Sequence, residues 1–272
     1  MGRRLLGVHA ALVFAFLYLP ILVVVVLAFN GGGEVLYWEG FSTKWFGEAL
    51  GDPTITEPLR RSALIALGNA AIASALGTML ALALPRMRAW IRVPLDALAY
   101  MTLVTPEIVF GISALIFFVQ AGSWVGLESP LGVWTILVAH VVFNTTVVAL
   151  IVRARFVGMG QTLEEASYDL GAGALATFRQ VTLPRLAPAV FAGGLLAFTF
   201  SFDDFITSFF VAGAGSTTLP IRIFSSLRFG VSPAINATAA MMLAATLVAV
   251  VIAYVVLRRT GQGRQTLLGK EA

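Results

Sequence analysis

The sequence predicts an all-α membrane protein of six transmembrane helices, and three observations carry that reading. Of the 272 residues, 58% are hydrophobic and only 12% are charged, against about 25% charged in soluble domains. Mean hydropathy is +0.90. A soluble core cannot enclose that much apolar surface, so the bilayer has to be the solvent. Apolar runs long enough to span, roughly 20 residues each, recur near 9–29, 60–84, 95–119, 131–152, 189–212 and 234–257. The basic residues are also distributed as a fixed orientation requires.

The first run follows Arg3 and Arg4, as a secretory signal would. It is longer than a signal core and no small-x-small cleavage pattern follows Phe29, so it reads as a retained anchor. The segment 30–59 opens with Gly31-Gly32-Gly33 and carries turn signals at Asp52-Pro53 and Glu57-Pro58. A short amphipathic helix fits Lys44–Leu50. The Ala-rich stretch Ala63–Ala83 offers a small-residue face for close helix packing in the second span. In the third, Pro106 predicts a bend near mid-span. The fourth carries His140, read as a hydrogen-bonded packing residue. Trp38, Trp45, Trp90, Trp124 and Trp134 fall near span ends and read as interfacial anchors. No internal repeat stands out, and the chain reads as one domain, 1–272.

Placing both termini in the cytoplasm puts Arg3, Arg4, Arg86, Arg88, Arg92, Arg153, Arg155, Arg179, Arg185, Arg258, Arg259, Arg264 and Lys270 inside. Lys44, Arg60, Arg61, Arg222 and Arg228 fall outside, together with the loop carboxylate Glu128. Thirteen basic residues against five is the positive-inside bias. The net charge of +4 therefore reports topology rather than nucleic-acid binding.

Between the fourth and fifth runs lies a polar island, Thr162 to Pro188, within the cytoplasmic loop 153–188. Thr162 and Glu165 have capping-box spacing, which predicts a helix starting at Thr162 with Glu164 and Glu165 in its first turn, where the helix dipole favours carboxylates. Gly171 suits a left-handed C-terminal cap. A second short helix with Phe178 and Val181 on one face is expected, ended by Leu183-Pro184 and Pro188. Leu163, Leu170 and Leu175 are left as apolar positions wanting a partner. The island reads either as a docking hairpin or as a solvated loop.

Three carboxylates fall inside predicted spans: Glu107, Asp203 and Asp204. Each costs roughly 2.5–3.5 kcal/mol on insertion scales, so they face the bundle interior or water and form a functional-site hypothesis. On a continuous helix, Asp203 and Asp204 would project about 100° apart, so one would line a pathway while the other bonds a neighbouring helix. The alternative is purely structural hydrogen bonding, for Glu107 to Ser113, Asn69 or Asn144. No basic residue stands at mid-span to pair with them.

Other chemistries find no support. The chain has no cysteine, which removes disulfides, thiolate metal sites and cysteine nucleophiles. No catalytic residue or metal cluster is assigned. Gly171-Ala172-Gly173-Ala174-Leu175-Ala176 mimics a dinucleotide fingerprint but has no strand before it, and no phosphate-binding G-x-x-x-x-G-K-[ST] sequence occurs.

The pattern Glu165-Ala166-Ser167, Gly171, then Leu183-Pro184 resembles the EAA loop of ABC-importer permease subunits, with Ser167 where Ala is usual. FSTKW at 41–45, TPEIV at 105–109, FTFSFDDF at 198–205 and LPIRIFSSLRFGVSPAINA at 219–237 resemble the polyamine (spermidine/putrescine) branch of those permeases. The residue matching Glu107 is commonly Asp there. The resemblance implies a type I importer fold and a non-enzymatic permease in the bacterial cytoplasmic membrane. Its expected partners are a homologous permease, two ATP-binding subunits that hold the ATP and magnesium, and an extracytoplasmic solute-binding protein. It implies coupling through Glu165, Ala166, Ser167, Gly171, Leu183 and Pro184, and a substrate pathway at Asp203, Asp204, Glu107 and Trp45. A permease for a metal ion, thiamine or an opine remains an alternative, as does a stand-alone carrier or channel.

Overall fold

Among the described residues of the computed structural model every element is helical, apart from one isolated bridge between Asn30 and Phe41. The structure describes residues 2–34, 37–127, 130–160, 162–229 and 232–268; Glu128 and Lys270 lie outside them. The helices are α1 (Gly2–Leu27), α2 (Lys44–Gly51), α3 (Pro53–Ala83), α4 (Ala89–Val104), α5 (Glu107–Trp124), α6 (Val133–Val157), α7 (Thr162–Asp169), α8 (Ala174–Thr177), α9 (Leu183–Phe202), α10 (Ile206–Val211), α11 (Leu219–Phe229) and α12 (Pro233–Leu268). Among the described residues, six stretches are long and apolar enough to cross a membrane: Leu5–Leu27, Pro53–Arg86, Glu107–Trp124, Val133–Val157, Ala174–Phe202 and Pro233–Val256. Each predicted run has its counterpart.

The chain's contacts divide into two compact units, Met1–Arg60 with Thr218–Ala245, and Arg61–Thr217 with Thr246–Ala272. In the first, the loop after α1 is organised by Asn30, which is 1% exposed. Its amide donates to the carbonyls of Glu34 and Tyr37, and its Oδ1 accepts from the N–H groups of Gly32 and Glu39. The triple glycine therefore winds around a buried hub. Asp52 caps α3 by accepting from the Thr54 N–H at 2.8 Å, with Pro53 at the first helical position, where no N–H is needed. Ala49, Ile55, Leu219 and Ile235 form this unit's core.

The core of the second unit is α3 against α6 and α9. Ser62, Ala66, Asn69, Ala73, Gly77 and Ala81 recur at helical spacing and are buried, the small-residue face expected from the Ala-rich stretch. A Cβ on Gly77 would lie 2.7 Å from the Val148 Cβ, and one on Gly194 2.6 Å from the Ser74 hydroxyl. The Asn69 amide donates to the Ala197 carbonyl at 2.8 Å. A second cluster, Ile65, Ile136, Ala139 and Val211 with Phe110 and Phe118, seats α5 and α10. Asp96 of α4 pairs with Arg153 of α6.

Four expectations need correction. The apolar run 95–119 is two helices: the chain is extended at Thr105 and Pro106 and restarts at Glu107. Proline lacks an N–H and disfavours helix in the preceding residue, so Pro106 breaks rather than bends. The run 189–212 also breaks, after Phe202, so Asp203 and Asp204 occupy a gap between α9 and α10 rather than helical positions. In the hairpin, Leu183-Pro184 does not end the second helix; a π-helical turn over Phe178–Thr182 leads straight into α9, with Pro184 in its first turn and Pro188 inside it. The wider turn accommodates the missing N–H. Glu57-Pro58 likewise lies within α3, near enough to its start that only one intrahelical bond is forgone.

Candidate functional site

The two unexpected helix breaks meet at a cavity of about 620 Å³ in the second unit, within the usual range of small-ligand sites, ~300–1,000 Å³. The wall carries Glu107, Asp203 and Asp204. Glu107 is the first residue of α5 and is exposed. Asp203 follows the last residue of α9, and its backbone N–H bonds the Thr199 carbonyl at 3.2 Å. Asp203 is exposed, and among the described residues no side chain hydrogen-bonds its carboxyl. Asp204 caps α10 by accepting from the Ser208 N–H at 2.8 Å. Glu107 and Asp204 stand on the same cavity wall.

His140 is where the structure departs most from the sequence reading. It is 3% exposed and hydrogen-bonded, as expected of a packing residue. It is also the mid-span partner that the sequence had not revealed. Its Nε2 lies 3.4 Å from Asp204 Oδ1 and 3.2 Å from the Ser208 hydroxyl, and its Nδ1 lies 2.7 Å from the Ser201 hydroxyl. The rest of the wall is mostly aromatic and apolar, with Phe110, Phe143, Phe200 and Phe205 prominent, and adds the polar Thr105, Asn144 and Thr207. Among the described residues, no Lys or Arg lines it. Negative charge, aromatic faces and the absence of fixed cations together suit an organic cation.

Trp45 belongs to the first unit and is not among the residues of this wall. Its indole N–H donates to the Asn30 carbonyl at 2.8 Å, and the Lys44 ammonium sits 4.5 Å above its ring.

The hairpin residues gather as a second group. Helix α7 begins at Thr162, with both glutamates in its first turn. Thr162 is the first residue of the helix rather than a cap ahead of it. The glutamates diverge: Glu164 accepts from the Thr182 hydroxyl at 2.6 Å, while Glu165 and Ala166 are exposed. The Ser167 and Thr177 hydroxyls lie 3.0 Å apart, so the residue that departs from the usual Ala ties α7 to α8. Gly171 has φ +82°. Its N–H bonds the Tyr168 carbonyl and the Ala172 N–H bonds that of Ser167, a Schellman cap. Leu163, Leu170 and Leu175 are 51%, 89% and 69% exposed, an uncovered apolar surface beside Glu165. Leu183 and Pro184 are exposed at the start of α9.

Comparison with known proteins places these features. Residues 73–262 match the family described as binding-protein-dependent transport system inner membrane component. The putrescine transport system permease protein PotI of Escherichia coli (strain K12) is 40% identical over 254 residues, covering 92% of this chain and 90% of that protein. The spermidine/putrescine transport system permease protein PotC of the same strain is 33% identical over 263 residues, covering 97% of each. PotC of Haemophilus influenzae is 35% identical over 247 residues, covering 91% of this chain and 94% of that protein. Among solved structures, a bacterial ABC transporter that imports the acidic polysaccharide alginate superposes with TM-score 0.69 at 14% identity, covering 96% of each chain. The MetNI methionine ABC transporter gives 0.63 at 14%, covering 75% of this chain and 95% of that one. These two share the fold.

The geometry separates the two aspartates. Asp204→Asn weakens a buried charge-assisted contact and lowers stability by on the order of 1–3 kcal/mol, a drop of several degrees in apparent melting temperature in detergent. Asp203→Asn, whose carboxyl no side chain holds, leaves the melt unchanged. Equal melting of both variants and the parent contradicts this division.

Proposed function

The chain belongs to the binding-protein-dependent transport permease family, and from that premise we propose that it carries polyamines inward through the cavity walled by Glu107, Asp203 and Asp204. It is a multi-pass inner-membrane subunit of an ABC importer, with the type I permease fold. The observation that carries the substrate reading is the wall itself: three carboxyls, four phenylalanines and, among the described residues, no Lys or Arg. A polyamine is a chain of methylenes between ammonium groups, so carboxyls take its ends and aromatic faces cover its middle. PotI and PotC, which match along nearly the whole chain, carry putrescine and spermidine/putrescine in their names. Trp45 serves the outer loop, its N–H and ring face already engaged.

ATP hydrolysis belongs to separate ATP-binding subunits in this reading. The exposed face of Glu165, Leu163 and Leu170 docks there, and Ser167 and Glu164 tie that docking helix to the 29-residue helical stretch Ala174–Phe202. Its far end carries Asp203, so motion at the hairpin reaches the cavity through one rigid element. A homologous permease and an extracytoplasmic binding protein complete the assembly, with both termini in the cytoplasm.

Three measurements test this. Uptake of radiolabelled putrescine should be competed by spermidine and not by thiamine or an opine, and Asp203→Asn should weaken it roughly ten-fold, the loss of one charge-assisted bond. Unimpaired uptake by Asp203→Asn at matched abundance sinks the cavity as the route. Glu165→Ala should lower uptake and release the ATP-binding subunits on purification while leaving membrane abundance normal; full retention with normal uptake sinks the docking role. For orientation, the cysteine-free background permits Ser42→Cys, which should react with an impermeant thiol reagent in spheroplasts, and Thr260→Cys, which should react only after permeabilisation. The opposite labelling pattern overturns the topology.

A further inference from the structure

We propose that His140 is a positioning residue for the substrate: it fixes Asp204 against Glu107 as a preassembled seat for one ammonium and leaves Asp203 as a separate arm for the other. This rests on the polyamine reading above. The argument begins with what the imidazole touches. Ser201 belongs to α9, Asp204 to the break and Ser208 to α10. One side chain from α6 thus holds both sides of the helix interruption and the carboxylate within it. Since Nε2 faces a carboxylate, that nitrogen carries the proton, and Nδ1 accepts from the Ser201 hydroxyl.

Asp204 is therefore pinned twice, by the imidazole and by the Ser208 N–H at 2.8 Å. That pinning holds its carboxyl on the wall that also carries Glu107. Two ionised carboxylates on one wall repel, and either a shared proton or a bound cation relieves that repulsion; an arriving ammonium fills the second role. Asp203, one residue earlier, is exposed on the same wall and no side chain holds it. The site then has one rigid and one adaptable arm, and the rigid one depends on His140. A histidine serving only to fill space makes a different prediction, since an aromatic ring of similar size would replace it.

The test is a kinetic comparison in the assembled importer at matched permease abundance, with putrescine as the probe. His140→Phe, which keeps the packing and loses the nitrogens, should raise the apparent KM about ten-fold with little change in maximal rate. His140→Gln, which returns an amide N–H near the Nε2 position, should recover most of the loss. Combined with Asp204→Ala, His140→Phe should add almost nothing, because the first change already removes the contact; combined with Asp203→Asn, its full effect should persist. Parent-like kinetics for His140→Phe, no rescue by His140→Gln, or equal multiplication in both backgrounds overturns the proposal while leaving the polyamine reading standing. A parent without saturable putrescine uptake overturns both.

Discussion

The bilayer solvates neither a broken helix nor a carboxylate, and the second unit is arranged around that constraint. Inside a hydrocarbon core, irregular backbone survives only where protein or a water-filled cavity satisfies it. The two interruptions, at Thr105–Pro106 and at Asp203–Phe205, meet on one cavity wall. There the freed groups find partners: the Asp203 N–H bonds Thr199, the Ser208 N–H bonds Asp204, and His140 reaches across to Asp204 and two serines. A carboxylate that is costly at mid-bilayer becomes the helix cap that makes the break tolerable. The site and the irregular backbone are one solution to one problem.

Close packing provides the rest. The stripe Ser62, Ala66, Asn69, Ala73, Gly77 and Ala81 lets α3 approach α6 and α9 so nearly that Gly77 and Gly194 have no room for a Cβ without displacement. Helices in lipid gain little from burying apolar side chains against one another, so contact between small residues and a few interhelical hydrogen bonds decide their association. The Asn69 bond to the Ala197 carbonyl is one of these. That frame keeps α6, and His140 with it, in register with the break in α9.

Much of this was legible in the sequence. Hydropathy located six spans because the bilayer demands length and apolarity and little else. The hairpin's first helix and the positive φ at Gly171 followed from end signals that act over a few residues. The breaks were obscured because an apolar run says nothing about continuity. Thr105-Pro106-Glu107 is a helix-start pattern, a proline with an acid in the first turn, yet the hydrophobic run through it invited a single span. Asp204, four residues ahead of Ser208 and two before the first residue of α10, Ile206, carries the same kind of signal. The pairing of His140 with Asp204 joins residues 64 positions apart in sequence and leaves no local trace. The difference between Glu164 and Glu165 depends on Thr182, which the π-helical turn brings round, a geometry that Leu183-Pro184 seemed to forbid.

The central claim is that this cavity seats a polyamine by its ends. The most direct measurement is a cryo-electron-microscopy map of the assembled importer trapped in the presence of putrescine. The account predicts extended ligand density in the cavity, one end within hydrogen-bonding distance of the Glu107 and Asp204 carboxyls, the other at Asp203, and the chain between phenylalanine faces. An empty cavity with the diamine bound elsewhere along the pathway would contradict it.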